Sequence, residues 1–433
     1  MSSGIVITPP MTRQRAQEIA ATFDLRALPP DFYANPYPVY QLLRDTQPVK
    51  RMPDGSFFLT RYADLVTVYR NAQTFSSDKK VEFTPKYNHS PYGSDGAVAP
   101  LLEHHTTSLV FNDPPLHSRV RKLIMGALTR RAIADMEPGL VALVDRLLDA
   151  IARNGGGDLI EDFACAIPVE IIGNLLGVPH AERAPLRGWS LAILGALEPK
   201  LTPQQEALGN RSVTEFSAYL RELVAQRRRR PGDPEHDVLT RLIQGEGDGG
   251  EQLSETELLQ NCVFILNAGH ETTTNLIGNA LVALQEWPQE KATLLHKLAR
   301  DADADLSVEV DEFLRFESSN QLGNRRATRP CAVGGVQLPE GALVTLCIAA
   351  ANRDPAQFAD PDRLDLARAE NRHLAFGFGI HQCAGLSLAR LEGRIAIGRF
   401  LQRFPAYRLT ADPTRGGRAR FRGFLQAPFS VAG

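Results

Sequence analysis

Apolar residues return at intervals of three and four along much of this chain. That period predicts helices over residues 37 to 46, 63 to 72, 117 to 128, 132 to 153, 167 to 177, 204 to 228, 254 to 286, 289 to 299, 306 to 316 and 384 to 403. Strand patterns are few and short. Val49 to Arg51 and Phe57 to Thr60 flank a Pro53-Asp54-Gly55 turn, and Val336 to Leu338 and Ala342 to Leu346 flank Pro339-Glu340-Gly341. The expected fold class is therefore mainly α with a small β region. No internal repeat and no dinucleotide-binding fingerprint interrupts the pattern.

The longest of these helices breaks its own pattern. It opens on Ser254-Glu255-Thr256-Glu257, a capping box in which serine and the third-following glutamate satisfy each other's amides, and it closes before Pro288. Some thirty residues rising 1.5 Å each make a rod of about 50 Å, long enough to cross a globular domain. Its flanks are apolar, with Leu258, Leu259, Val263, Phe264, Ile265 and Leu266 on one side of its middle and Leu276, Ile277, Ala280, Leu281 and Leu284 on the other. The middle itself reads Asn267-Ala268-Gly269-His270-Glu271-Thr272-Thr273-Thr274-Asn275, where a purely structural helix would continue with leucine. A local violation of this kind marks a place to look for function. Ile265, Ala268, Gly269, Thr272 and Leu276 share one stripe, so small residues are able to lie against a flat group there while Thr272 presents a hydroxyl over it.

Composition sets outer limits. At 433 residues, with no Ser/Gly-rich linker or compositional break, the chain reads as one large domain over 1 to 433, with 1 to 29 a loosely attached segment. Hydrophobic residues at 43% fill a large core, and a net charge of −2 gives no reason to expect nucleic acid. Arg227 to Arg230 most simply complement a helix C-terminus before the Pro231-Gly232-Asp233-Pro234 loop. No run of 18 apolar residues and no signal-peptide core appears, so membrane association is not expected. Five dispersed cysteines fit a reducing cytoplasm.

One cysteine stands apart. Cys383 lies in Phe376-Gly377-Phe378-Gly379-Ile380-His381-Gln382-Cys383-Ala384-Gly385, a glycine-rich loop able to bring its backbone close to something flat. The amphipathic stretch that follows puts Cys383 near a helix N-terminus, where free amides and the dipole favour a thiolate. Such a thiolate serves as nucleophile, redox sensor or metal ligand. Zinc is disfavoured, because no C-x-x-C or C-x-x-H pair exists and Cys165, Cys262, Cys331 and Cys347 are scattered among apolar neighbours. No second cysteine is near to resolve a disulfide. One thiolate in an apolar loop suits a single axial bond to haem iron.

Phe376, Gly379, Cys383 and Gly385 meet the spacing F-x-x-G-x-x-x-C-x-G, and here the chain resembles the cytochrome P450 superfamily. Ala268, Gly269, His270, Glu271 and Thr272 are similar to the family's A/G-G-x-D/E-T element. Glu312-Phe313-Leu314-Arg315 resembles its E-x-x-R, and the segment through Asn352-Arg353-Asp354-Pro355 and Phe358 to Leu364 resembles its meander, with Arg363 expected to complete a network with Glu312 and Arg315. The resemblance covers about residues 30 to 430. It implies haem b as cofactor, held between the 254 to 286 helix and the helix after Cys383, with Cys383 as the metal ligand. It also implies Thr272 as hydrogen-bonding partner of bound oxygen and Glu271 as proton relay, since splitting O–O in an apolar pocket needs protons delivered without bulk water. For the haem propionates it implies His117 and Arg121 in Asn112-Asp113-Pro114-Pro115-Leu116-His117-Ser118-Arg119-Val120-Arg121, together with Arg325 and His381. Arg326 competes with Arg325.

The function so implied is a soluble, cytoplasmic, bacterial-type haem-thiolate monooxygenase oxidising a mid-sized, mostly apolar molecule with O2. Its electrons would come from a separate ferredoxin and ferredoxin reductase, since nothing after Phe404 leaves room for a flavin or iron–sulfur domain. Arg119, Lys122, Arg130 and Arg372 are candidate contacts for that partner by charge. A peroxygenase using hydrogen peroxide is the first alternative, although such relatives replace the Glu-Thr pair that is intact here. A haem sensor or carrier is the second, although it needs no acid–alcohol relay. The substrate pocket is expected under the long 77 to 110 loop, with Pro85, Pro91, Pro100, Gly93 and Gly96, and under a lid from Leu186 to Asn210. Leu191, Ile193, Leu194 and Leu197, with Leu109, Val110, Phe264 and Leu322, are its candidate apolar lining. Between Phe316 and Gly323 the chain lacks the proline often found there in the family.

Overall fold

The computed structural model describes residues 5–87, 98–234, 237–245 and 252–431. Every helix read from the hydrophobic period is present, with ends within two residues of those expected. Contacts divide the chain into two compact units, one of residues 1–75, 138–167 and 272–433, the other of residues 76–137 and 168–271. The central helix, Glu255–Glu286, runs from the second into the first without interruption. Its capping box is formed: Ser254 N–H donates to Glu257 Oε2 at 2.8 Å, and Glu257 N–H to Ser254 Oγ at 3.2 Å. Among the described residues no helix is long and apolar enough to cross a membrane.

The first unit contains the β structure. Strands Val49–Arg51, Phe57–Leu59, Leu343–Cys347 and Leu322–Ala327 lie side by side in that order. Phe57–Leu59 pairs in parallel with Leu343–Cys347, and the other two pairings are antiparallel. The two strands flanking Pro339-Glu340-Gly341 do not pair with each other. Val336–Leu338 pairs with Cys331–Val333, whereas Leu343–Cys347 joins the larger sheet. The strand Leu322–Ala327 was hidden in the sequence because two adjacent arginines and an asparagine break its apolar alternation. Its pleat puts Arg325 and Arg326 on opposite faces. The N-terminal segment expected to be loose is instead packed. The helix Arg13–Ala21 buries Ala16 and Ile19, and these join Phe23, Phe32, Tyr40 and Phe58 in one apolar cluster.

The second unit is helical. Leu186–Gly195 packs along Pro203–Arg229, which also meets Pro100–Thr107 and Val238–Gln244. Two short helices, Lys80–Lys86 and Pro100–Thr107, stand where a long loop was expected. Proline inside the first and at the start of the second masked their period, while Pro91, Gly93 and Gly96 lie outside the described residues. Of the apolar residues proposed to line the pocket, Leu109, Ile193 and Leu194 are buried core of this unit. Leu191, Leu197, Val110 and Phe264 are partly accessible. Leu322 is core of the first unit.

Candidate functional site

The cysteine loop is a short piece of backbone with one side chain on offer. Gly377 at φ +65° and Gly379 at φ +72° adopt left-handed conformations that side chains rarely allow. Gly379 has a second constraint, since a Cβ there would lie 2.5 Å from the Tyr69 carbonyl oxygen. The loop closes when Cys383 N–H donates to the Phe376 carbonyl at 2.8 Å and Gln382 N–H to the Gly379 carbonyl at 3.1 Å. Phe376, His381 and Gly385 are partly accessible, Gly379 and Cys383 exposed, and nothing lies within 4 Å of where a Cβ on Gly385 would stand. Of the five cysteines, Cys383 alone is exposed. Burial raises the Cys262 and Cys347 thiols to about 12, which leaves those two inert.

The helix Leu386–Arg403 carries this loop against the central helix. A Cβ on Gly393 would stand 3.2 Å from Leu276 Cδ2, so the Leu276 side chain packs onto the space that the glycine leaves, with Leu276 one turn beyond Thr272. The central helix is buried at 258–263 and again at 273–284. Between these runs Ile265, Gly269 and Thr272 are partly accessible and Ala268 exposed, so the one open stripe is the one that the small residues define. Gly269 has an additional cause, because a Cβ there would lie 2.6 Å from Ile172. Glu271 is buried, a third of a turn from that stripe.

Arg325 is buried with its guanidinium carbon 5.2 Å from the centre of the Tyr69 ring, and Tyr69 is the residue whose carbonyl Gly379 approaches. Arg325 is thus beside the cysteine loop, within the same unit as Cys383, His381 and Thr272. His117, buried, and Arg121, partly buried, share the helix Leu116–Ala127 of the other unit, which also contains Ala268 and Glu271. Arg119, offered above as a docking contact, instead bonds Glu257 and the Gln252 carbonyl.

The network bracing the loop differs from expectation in one member. Glu312 and Arg315 pair through two bonds of 2.7 Å with both side chains fully buried. Arg363 supplies only its carbonyl to Arg315, and its side chain reaches outward to Glu290 at 3.5 Å. The third member is Arg368, whose Nε donates to Glu312 at 3.1 Å. The nearness of Arg368 to the family's meander hinted at this, but only the backbone path shows which arginine turns inward.

Sequence reading missed a buried chain in the second unit. Asn267 Nδ2 lies 3.3 Å from His104 Nε2, His104 Nδ1 lies 3.0 Å from Gln260 Oε1, and Gln260 Nε2 donates to Glu103 at 3.0 Å. The carboxylate fixes the sense of every bond: only an Nδ1–H imidazole fits between the two amides. Burial lowers the His104 pKa to about 4, despite the bond to Gln260, so this imidazole stays neutral.

The residues fit a haem. Among the described residues no cluster of three or more His, Cys, Asp or Glu stands ready to enclose a metal ion, whereas one exposed sulfur on an open glycine loop suits a ring ligated from a single side. The family model described as "Cytochrome P450" matches residues 191–301 and 306–418. The chain is 36% identical to cytochrome P450 107B1 of Saccharopolyspora erythraea, over 90% of this chain and 93% of that one. It is 35% identical to the cytochrome P450 monooxygenase PikC of Streptomyces venezuelae, over 93% and 92%. Among solved structures, P450BioI in complex with an acyl carrier protein ligated to hexadec-9Z-enoic acid aligns at a TM-score of 0.83. That alignment has 31% identity and covers 92% of this chain and 99% of the other.

Proposed function

Since the chain belongs to the cytochrome P450 family, with its fold, its haem b and its monooxygenase chemistry, we propose that it oxidises a mid-sized, mostly apolar small molecule. In this reading Cys383 would ligate the haem iron, and two electrons would arrive through a ferredoxin-type protein and its reductase. The observation that carries the reading is the crossing of Gly393 on Leu276. It sets the helix that follows the exposed Cys383 against the central helix one turn from Thr272.

The haem, when bound, supplies the redox centre at which dioxygen is activated. The chain's own residues do the rest. Cys383 donates its sulfur from a loop that glycine conformations hold open. Arg325, His381, His117 and Arg121 would hold the haem propionates through charge-assisted hydrogen bonds. Phe376, Gly379 and Gly385 shape the loop, and Ala268 would leave room for the ring. Thr272 Oγ1 holds a proton at the oxygen side, and Glu271, buried next to it in the chain, passes protons inward while bulk water stays out. Leu191, Leu197, Val110 and Phe264, the accessible members of the proposed lining, orient the substrate. Relatives include a vitamin D(3) 25-hydroxylase of Pseudonocardia autotrophica, 36% identical over 85% of this chain and 86% of that one, which supports an apolar substrate of comparable size.

The ferrous protein under carbon monoxide tests the ligand: the red-shifted Soret band of thiolate ligation is expected, and a histidine-type band from folded protein would refute the assignment. Thr272→Ala is expected to keep NADH consumption going in the reconstituted chain while diverting electrons to peroxide. Unchanged coupling would remove Thr272 from the mechanism.

A further inference from the structure

Three side chains support the cysteine loop from its own unit without any part in the reaction described so far. Asp311, on the helix Ser307–Phe316, accepts from Arg390 through both oxygens, from Nε at 2.7 Å and from Nη2 at 3.1 Å. His373, its side chain nearly inaccessible, places Nε2 at 3.4 Å from the same carboxylate. Its Nδ1 accepts the Ala375 amide at 3.2 Å, which makes Nδ1 the unprotonated nitrogen. Both partners of Asp311 bear on one ring. The Arg390 guanidinium carbon stands 4.9 Å from the centre of Phe376, and the His373 ring is tilted against it at 5.6 Å. Phe376 is in turn the residue whose carbonyl takes the Cys383 amide.

A continuous line of contacts therefore joins Asp311 to the sulfur-bearing residue through Arg390, His373 and Phe376. Burial works against the Asp311 carboxylate, yet hydrogen bonding from His373 and Arg390, with the Arg390 charge, outweighs it and holds its carboxyl below the usual range. Opposite full charges are thus fixed beneath the loop. Groups one shell out from a metal ligand orient it and tune its electronics.

We propose that Asp311 and Arg390, aligned by His373, are positioning residues that clamp Phe376 and balance the charge felt at the Cys383 sulfur, and so set the one-electron reduction potential of the bound iron. The inference rests on the reading that Cys383 would ligate the iron. Reduction adds one electron from the partner protein and takes up no proton, so the site gains one negative charge. Deleting the anion of the pair leaves Arg390 unbalanced and favours reduction. Deleting the cation leaves Asp311 unbalanced and opposes it.

Spectroelectrochemical titration of the purified holoenzyme reads this directly. Asp311→Asn is expected to raise the potential and Arg390→Gln to lower it. Each changes the reduction equilibrium roughly tenfold, about 59 mV for one electron, and the double variant returns near the parent. Loss of packing alone carries no sign. Single variants that move together, or not at all, overturn the proposal. Arg390→Lys keeps the charge and loses the fork and the ring contact, so it should hold the parent potential while heat removes the thiolate-type band of its carbon monoxide complex faster than in the parent. If a single variant yields no holoprotein, Arg390→Lys and the double variant still decide, because both preserve the balance and a shifted potential in either refutes it. The parent's carbon monoxide spectrum is recorded alongside. A thiolate band with a failed sign test strikes this proposal alone, and a histidine band strikes the ligand assignment and this proposal together.

Discussion

Glu312→Gln isolates the network beneath the cysteine loop. Glu312 Oε1 accepts from Arg315 Nη2 at 2.7 Å and from the Asp365 amide at 2.9 Å. Oε2 accepts from Arg315 Nε at 2.7 Å, Arg368 Nε at 3.1 Å and Asn371 Nδ2 at 3.0 Å. The substitution keeps the shape, removes the carboxylate that accepts these five bonds, and turns an NH2 group toward donors. Two guanidinium groups with side-chain exposures of 0% and 9% are then left facing no anion. Breaking a buried pair by removing one partner costs about 3–5 kcal/mol. With an unfolding entropy of about 2.1 cal/mol/K per residue, a chain of 433 residues loses roughly 3–6 °C in Tm. Circular dichroism and loss of the carbon monoxide band should both report the fall. Arg363→Ala is the control, because its side chain is 60% exposed and pairs only outward, and its Tm should match the parent. A Glu312→Gln shift under about 1 °C, or an equal loss from Arg363→Ala, would refute the reasoning.

Gly379→Ala meets both a left-handed backbone and the Tyr69 carbonyl, so purified protein should show a sharply reduced haem-to-protein ratio, and full loading would contradict the loop geometry. His104, held neutral by burial, has a folded pKa of about 4 against an ordinary 6.5, so the unfolded chain binds the extra proton between those values. Stability should therefore fall by a few kcal/mol as pH drops from about 6.5 to 4 and be flat in this term above 6.5; His104→Gln should flatten the slope of urea midpoints across that window. Glu392 is the opposite case: burial raises its carboxyl from 4.5 to about 8, so its contribution is complete below about 4.5 and is lost as pH rises toward 8. Glu392→Gln, which stays neutral, should gain Tm over the parent at pH 8 and not at pH 4.5.

Hydrophobic periodicity revealed the long helices because each buries a broad stripe, and the capping box at Ser254 fixed the start of the longest. It failed where a helix is one or two turns long or contains proline, as at Lys80–Lys86 and Pro100–Thr107. The cysteine loop was legible because its glycines carry backbone demands that no other residue meets. Which arginine completes the Glu312 network was not, since Arg363 and Arg368 differ in the turn between them rather than in their chemistry. The Glu103–Gln260–His104–Asn267 chain was equally invisible, because its members come from two segments some 160 residues apart and none points to its partner.

The narrow open stripe of the central helix has a bearing on how such chains change in length. Inserting one residue between Glu255 and Asn267 would swing the upstream half by about 100° relative to Ala268 and Thr272, pulling Gln260 and Asn261 from the partners they bond. Four inserted residues would restore the facing to within about 40° but push the start of the rod some 6 Å outward. Length variation in descendants of this sequence should therefore collect beyond both ends of the helix, leaving the number of residues from the cap to the threonine unchanged.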